Sequence, residues 1–286
     1  ESSEGRTIVA QYCIQDCQLV NKLVSKLSII SNNIGMANVC SVPLSYIFLR
    51  GQGVKIFSLV SKECKEHDFL LPVLKKPKTD DDKDKKKIKK YKSYFEDLSD
   101  SEEEDEGGYE GAIVLPPTPG IYLDEPVTVL DYSSLYPSCM ISENFSHDSI
   151  VLDEKYLGDD GILELKKLGY GYVDVTHDVY KWIDPKIKSK GKVKTGVKTC
   201  RFAQYPKNKA ILPSVLEELL SQRNATKKLM KKETDPFMKN VLDKRQLSIK
   251  LTANSLYGQC GAKTSSFYEK DVAASTTATG RKLLTY

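Results

Sequence analysis

The segment 127–138, VTVLDYSSLYPS, joins an apolar, β-branched run to a single carboxylate and a serine-rich turn. The run 127–130 is typical of a buried β-strand, and Asp131 follows it directly, where such a strand would emerge. An acid inside a sheet is costly unless it is paired or coordinates a metal. For an isolated residue, a solvated strand end is the simpler interpretation of Asp131.

Composition limits the class of protein. The 286 residues can form one large domain or two smaller ones, and an apolar content of 40% can supply a core. No apolar run approaches the length of a membrane span, and no secretory signal is visible. Seven scattered cysteines without a Cys-x2-Cys pair argue against a zinc site and a disulfide framework, and favour a reducing compartment. Because the chain begins with Glu1, we expect it to be part of a longer protein.

Charge is concentrated in one segment. Residues 75–106 hold ten lysines and twelve acids, arranged in blocks of one sign. Such blocks repel each other and bury little apolar area, so we predict a disordered, charged insertion over 75–108. The remainder of the chain is moderately basic, which suits a polyanionic partner.

Helical periodicity is clearest near the two ends of the chain. One helix is predicted over 7–34, in which Tyr12 and Asp16 share a face because they lie four residues apart. Two further helices are predicted over 210–232 and from Pro236 to about Tyr257, with an end at Gly258. Between the first helix and these two, a strand is predicted over 112–115 and hairpins over 150–205.

The two later helices carry cations and polar side chains at helical spacing. Arg223 and Lys227 continue the apolar stripe of the first, and Lys250, Asn254 and Tyr257 share one face of the second. Two antiparallel helices with such faces could hold phosphates. For Arg223 and Lys227, the alternative is that long side chains reach out from a buried seam.

Three short patterns together resemble a known family. The segment 127–138 resembles motif A of the family B DNA polymerases, Asp-aromatic-x-Ser-Leu-Tyr-Pro-Ser. The stretch from Lys250 to Gly258 resembles motif B, Lys-x-x-x-Asn-Ser-x-Tyr-Gly, and Tyr12 with Asp16 resembles the third exonuclease motif, Tyr-x-x-x-Asp. The stretch 259–271 is similar to polymerases of large nucleocytoplasmic DNA viruses that infect algae or protists.

The resemblance implies a mixed α/β (α+β) fold that represents part of a delta-like polymerase. The implied parts are the end of a 3′–5′ exonuclease domain with a helical connection over 1–74, the charged insertion over 75–108, part of the palm with motif A over 109–208, a two-helix fingers hairpin with motif B over 209–258, and a return to the palm over 259–286.

The resemblance also implies roles for individual residues. Nucleotide addition in this family is an in-line displacement at the α-phosphate, promoted by two Mg²⁺ ions that Asp131 would bind. Asp16 would support a metal ion in the exonuclease site, where Tyr12 would position the attacking water. Tyr136 would pack under the deoxyribose and exclude a 2′-hydroxyl. The residues implied in nucleotide binding are Tyr132, Ser133, Ser134, Leu135, Tyr136, Arg223, Lys227, Lys250 and Asn254, and those implied in DNA binding are Tyr257 and Gly258.

Two family features are absent from the sequence. The second metal-binding carboxylate, in a Tyr-Gly-Asp-Thr-Asp motif, is missing, and so are the first two exonuclease motifs. We therefore expect a DNA-directed DNA polymerase with proofreading when complete, and an inactive isolated chain. A nucleotide- or DNA-binding module without catalysis and a fragment of a proofreading exonuclease are the alternatives.

The partners that the resemblance implies are primer-template DNA and dNTP, with a sliding clamp or other accessory replication factors, and no membrane. It also implies an intracellular location, in the host nucleus or a cytoplasmic virus factory.

Overall fold

The computed structural model of the chain describes residues 2–71, 106–124, 126–184, 187 and 191–285. Its elements confirm the predicted mixture of helices and strands. The helices are α1 Ser3–Lys26, α2 Ile29–Cys40, α3 Leu44–Leu49, α4 Gln52–Glu66, α5 Leu135–Ser142, α6 Gly158–Lys167, α7 Ile211–Lys232, α8 Pro236–Gly261 and α9 Lys270–Leu284; the strands are β1 Glu106–Tyr109, β2 Gly171–Trp182 and β3 Lys192–Gln204. None of the helices within these ranges has the length and apolar character that crossing a lipid bilayer requires.

The chain divides into two compact units. The first unit comprises Glu1–Glu63 and Glu218–Ser255, and the second comprises Cys64–Glu217 and Leu256–Tyr286. Motif A and the three-stranded sheet belong to the second unit, whereas α1 and the cationic parts of α7 and α8 belong to the first.

The N-terminal helix of the first unit is interrupted. The prediction of one helix over 7–34 is wrong, because α1 ends at Lys26 and α2 begins at Ile29. Between them Ser28 takes a left-handed conformation with φ of 50°, which a continuous α-helix cannot contain. The Asn32 side chain donates a hydrogen bond to the Leu27 carbonyl at 3.0 Å and so satisfies a group that the break leaves open.

The first unit buries its apolar side chains around α2. Met36, Ala37, Cys40 and Ile47 form one cluster, with Val42 packed against it. The same helix also approaches α8 closely: a Cβ at Gly35 would lie 3.2 Å from the Ser248 hydroxyl oxygen. Ser248 donates to the Asn32 carbonyl at 3.2 Å, and the Cys40 thiol lies 3.7 Å from the Thr252 hydroxyl.

The second unit is built on an antiparallel hairpin. Strands β2 and β3 pair from Gly171 opposite Gln204 to Trp182 opposite Lys192, and β1 adds to the free edge of β2. The predicted hairpin within 150–205 is therefore confirmed. The predicted insertion is wrong at its end, because the backbone of residues 106–108 already pairs in β1; the rest of it, 75–105, lies outside the described residues.

The start of α7 is fixed by the segment that follows α5. Asn144 donates to the Ala203 carbonyl at 2.9 Å and accepts from the Ala210 amide at 2.8 Å. The Asp148 carboxylate accepts from the Ile211 amide at 3.1 Å, where a carboxylate stabilises the positive end of the helix. Beneath these contacts the rings of Phe145 and Phe202 pack with centroids 4.6 Å apart.

The two helices predicted over 210–232 and from Pro236 are confirmed, with one changed end. The Asp235 carboxylate accepts from the amides of Phe237 and Met238, both at 3.2 Å, and thereby caps α8 at its start. The predicted end at Gly258 is wrong, because α8 continues to Gly261. Cys260, in this extra turn, is fully buried.

Candidate active site

The apolar run before Asp131 has no strand partner among the described residues. Val129 and Leu130 are 86% and 91% exposed, and the segment is extended without ladder pairing. The prediction of a buried strand at 127–130 is therefore wrong for this chain, as is the predicted strand at 112–115. A strand forms only where a neighbour completes its hydrogen bonds, and the sequence pattern reports the side chains alone.

Asp131 is exposed and accessible. Within the described part of the chain it makes no hydrogen bond and no ion pair. An exposed carboxylate without a competing cation is a suitable oxygen ligand for a hard metal ion such as Mg²⁺. Asp131 therefore fits one side of a metal site, whereas the second carboxylate of the family pattern is not in this sequence.

The turn after Asp131 is held locally. Ser134 has a φ of 53°, in the left-handed region, and this residue ends the extended segment where α5 begins. Ser138 stabilises the turn with two hydrogen bonds. Its hydroxyl donates to the Ser133 carbonyl at 2.8 Å, and its amide donates to the Ser134 carbonyl at 2.9 Å. The Tyr132 hydroxyl donates to the Leu283 carbonyl at 3.1 Å, which ties the same turn to α9.

Tyr136 is held in a pocket of aromatic and glycine residues. Its ring stacks on Tyr257 with centroids 4.6 Å apart and an interplanar angle of 29°. The Tyr257 hydroxyl lies 3.5 Å from that of Tyr109, and a Cβ at Gly280 would lie only 3.0 Å from Cε1 of Tyr136. Burial raises the pKa of both Tyr136 and Tyr257, so both phenols stay neutral. Residues of motif A and motif B thus meet directly in the second unit.

The cationic residues of α7 and α8 lie in the first unit. Arg223 donates to the Gln246 side chain at 3.3 Å, which links the two helices near their loop. Lys250 and Asn254 are exposed, and Lys227 is half-buried. None of Arg223, Lys227 and Lys250 forms an ion pair with a described carboxylate. These cations therefore lack a protein counterion within the described ranges.

The two exonuclease residues lie on α1. Tyr12 is 65% exposed, and α1 has no buried residue. Asp16 is also exposed and has no partner among the described residues. The shared helix face of Tyr12 and Asp16 is confirmed, whereas their roles stay predictions.

Asp174, an acid outside motif A, is paired with an arginine. Asp174 accepts two hydrogen bonds of 2.7 Å from Arg201, in a fork-to-fork pair on neighbouring strands. The same guanidinium donates to the carbonyls of Tyr156 and Gly158, at 3.0 and 2.8 Å. Because its two oxygens are occupied by Arg201, Asp174 is not a free metal ligand.

Known proteins resemble this chain over most of its length. The model of DNA polymerase family B matches residues 42–286. The chain belongs to DNA polymerase family B. The DNA polymerase of Phaeocystis pouchetii virus is 49% identical over 100% of this chain and 26% of its own length. The delta catalytic subunit of Dictyostelium discoideum is 34% identical over 99% of the chain and 21% of its own length. The expected similarity to viral and delta-like members of family B is therefore confirmed, and the chain spans about a quarter of these relatives.

A solved family B structure has the same fold. The family B DNA polymerase of Pyrobaculum calidifontis matches 99% of the chain with a TM-score of 0.63 and 24% identity, over 29% of that protein. At this identity the match supports the fold and not the activity.

Several residues around the site have no sequence signal. Tyr109 supports Tyr257, and a Cβ at Gly261 would lie 2.0 Å from the Tyr109 hydroxyl. Arg281 donates to the Glu110 and Gly111 carbonyls at 3.0 and 2.8 Å, and so fixes the segment after β1. These residues are far apart in sequence, and no local spacing could have linked them.

Proposed function

We propose that this chain is part of a replicative DNA polymerase that adds deoxynucleotides to a primer 3′-hydroxyl under the direction of a template. The observation that carries the proposal is the stacking of Tyr136 on Tyr257, because it brings a residue of motif A against a residue of motif B within the second unit. The exposed, unpaired Asp131 lies five residues before Tyr136, at the edge of the same turn.

In this proposal Asp131 binds Mg²⁺ together with a carboxylate from the rest of the protein. When bound, two such ions neutralise charge on the attacking and leaving oxygens of an in-line displacement. The turn from Tyr132 to Leu135 presents its backbone to the triphosphate. The left-handed Ser134 and the two hydrogen bonds of Ser138 keep that backbone in one conformation before nucleotide arrives.

Arg223, Lys227 and Lys250 bind the β- and γ-phosphates in this proposal. A guanidinium offers a planar fork for phosphate oxygens, and the two ammonium groups act as compact charges. Their lack of carboxylate partners among the described residues supports this role, since no internal ion pair has to be broken first. Asn254 then lines the pocket of the new base pair, and Tyr257 and Gly258 contact DNA.

Tyr136 selects the sugar. Its ring is fixed between Tyr257 on one face and the backbone at Gly280, so it cannot easily move away from a larger ligand. A ring held in this way excludes an extra hydroxyl by collision, without any polar contact.

We also propose that Asp16 and Tyr12 belong to a 3′–5′ exonuclease site of the complete protein, which would act with accessory replication factors in the host nucleus or a cytoplasmic virus factory. A nucleotide- or DNA-binding module without catalysis is the alternative for the isolated chain, which lacks the second carboxylate.

Primer extension by the full-length protein tests the main proposal. With Mg²⁺ and all four dNTPs, the parent should extend a primer in the order dictated by the template. Asp131→Asn removes one negative charge at nearly constant shape and should lower the rate by more than about 100-fold, since even groups that only support a metal ligand cost 10–100-fold. Full extension by Asp131→Asn would reject the assignment.

A further inference from the structure

Three potential metal ligands converge where the β2–β3 hairpin meets α9. His177 lies opposite Lys198 in the strand register, and Val175 lies opposite Cys200, so His177 and Cys200 face the same side of the sheet. Asp271, in the first turn of α9, approaches that face. His177 and Cys200 are 4% and 5% exposed, which places an imidazole and a thiol in the interior beside a carboxylate.

Two of the three distances between these groups match a coordination polyhedron. Nε2 of His177 lies 3.6 Å from Sγ of Cys200 and 3.7 Å from Oδ1 of Asp271, and all three atoms lie within 4.8 Å of one another. Ligand atoms of a tetrahedral zinc ion are separated by about 3.3–3.7 Å, given bonds of 2.0–2.3 Å. Only small shifts would therefore be needed to place one ion between them.

The orientation of the imidazole favours ligation over catalysis. Nδ1 of His177 faces the Asp178 carbonyl at 3.5 Å, a long contact that favours a proton on Nδ1. Nε2 faces both the thiol and the carboxylate, as in histidines that bind a metal through one ring nitrogen. In a Cys-His-Asp catalytic triad the two partners would contact different ring nitrogens, whereas here both lie beside Nε2.

A buried hydroxyl beside this cluster has no geometrically acceptable hydrogen-bond partner among the described residues. Ser275 is fully buried one turn after Asp271, and its Oγ has no hydrogen bond of acceptable geometry within the described residues. It lies close enough to the Cys200 thiol to lower the thiol's pKa, although that contact does not meet hydrogen-bond geometry. A buried orphan hydroxyl costs free energy, and a metal ion or its bound water would supply the missing partner.

Two features oppose metal binding and have to be outweighed. Burial, with the charge of Asp271, raises the pKa of Cys200 to about 11, so a metal must displace a proton from the thiol. Lys198 lies 2.6 Å from Oδ2 of Asp271 and adds a positive charge nearby. That contact uses only Oδ2, however, and leaves Oδ1 directed at His177.

We propose that His177, Cys200 and Asp271 form a zinc site in which Ser275 or a water completes the tetrahedron. The mixture of thiolate, imidazole and carboxylate suits Zn²⁺ rather than Mg²⁺, which prefers oxygen ligands alone. The ion fastens the hairpin to α9. The sequence argued against zinc because no Cys-x2-Cys pair is present, but these ligands come from three distant segments and no spacing rule would find them.

The decisive experiment measures bound metal in the full-length protein and its variants. After dialysis against a weak chelator, elemental analysis should find one more zinc per molecule in the parent than in Cys200→Ser or His177→Gln. Cys139→Ser is the matched control, because Cys139 is also a buried thiol of the second unit but does not belong to the cluster, and it should retain all of the zinc. Equal zinc in the parent and Cys200→Ser overturns the proposal.

Cobalt substitution and heat stability address variants that fold poorly. Co²⁺ in the parent should give an intense sulfur-to-metal absorption band that Cys200→Ser lacks and Cys139→Ser keeps. A strong chelator should lower the Tm of the parent, and zinc should restore it, whereas Asp271→Asn should no longer respond. If the parent's Tm is indifferent to chelator and zinc, the cluster is a hydrogen-bonded contact without a metal, and the proposal is wrong.

Discussion

Tyr136 and Tyr257 stack at a centroid separation of 4.6 Å, although one follows the motif A turn and the other lies near the end of α8. Gly280 lies against the Tyr136 ring, and the Tyr109 hydroxyl lies 3.5 Å from that of Tyr257. A closely packed side chain responds to small changes in its neighbours, so the position of Tyr136 can be tested by replacing either Tyr136 or a neighbouring residue.

Replacing Tyr136 by alanine should relax sugar selection. The space left by the ring admits a 2′-hydroxyl, so we expect the ratio of ribonucleotide to deoxynucleotide incorporation by the full-length protein to rise by about 10–100-fold, the range typical of steric discrimination in a pocket. Tyr136→Phe keeps the ring and should keep the selectivity. A ratio unchanged by Tyr136→Ala would remove the steric role.

Gly280→Ala should shift sugar selectivity although Tyr136 itself is not replaced. The new methyl group would lie 3.0 Å from Cε1 of Tyr136, so the ring has to move by a few tenths of an ångström. We expect a smaller change in sugar selectivity than in Tyr136→Ala, together with slower deoxynucleotide addition. Gly196→Ala is the control, because a Cβ there meets nothing within 4 Å. Identical behaviour of Gly280→Ala and Gly196→Ala would contradict the close approach of Gly280 to Tyr136.

Asp174→Asn should weaken the fold and leave the chemistry intact. Arg201 would lose its carboxylate partner while remaining 7% exposed, so we expect a loss of about 2 kcal/mol, below the range for fully buried pairs because Asp174 is partly solvated. The Tm should fall, yet primer extension per folded molecule should match the parent. An activity loss as large as that of Asp131→Asn would instead make Asp174 the missing catalytic carboxylate.

The isolated chain should bind nucleotide weakly and extend no primer, since only one of the two carboxylates is present. Titration with a fluorescent dNTP should show affinity that falls as salt is added, because exposed charges are screened. Lys250→Ala should weaken binding more than Lys228→Ala, an exposed lysine of α7 outside the proposed phosphate contacts. Circular dichroism would confirm that both variants are folded. Primer extension by the isolated chain would show that an acid within it completes the site.

Deleting residues 75–105 from the full-length protein should preserve primer extension, because the charge blocks there predict a solvated insertion. The deletion has to stop before Glu106, where β1 begins to pair with β2. Extending it through Tyr109 should impair activity, since Tyr109 supports Tyr257. Equal activity of the two deletions would show that β1 and Tyr109 are dispensable.

The features that sequence could predict are those that depend on local signals. Asp235 and Pro236 mark the start of α8 within two residues, and Pro213 lies in the first turn of α7, so the starts of both helices carry local signals. The break at Ser28 was missed because the apolar pattern continues across it. The run 127–130 was predicted to pair because its side chains suit a strand, but the partner is not encoded in that run.

In the candidate site too, some residues can be predicted from sequence, whereas the contacts between them depend on the fold. The resemblance to motifs A and B indicated Asp131, Tyr136 and Lys250, and the structure shows which of them have partners. The pairing of Asp174 with Arg201 and the convergence of His177, Cys200 and Asp271 depend on register and on helix packing. Neither is visible before the strands are aligned.

The absence of a side chain at Gly261 has a consequence for how relatives of this chain can vary. A Cβ at this position would lie 2.0 Å from the Tyr109 hydroxyl oxygen and 3.0 Å from Cζ, so the two positions cannot enlarge independently. A relative with alanine at the position of Gly261 is expected to carry a residue without the hydroxyl, or a smaller one, at that of Tyr109. Joint changes at these two positions in an alignment of relatives would therefore reveal the contact between them from sequences alone.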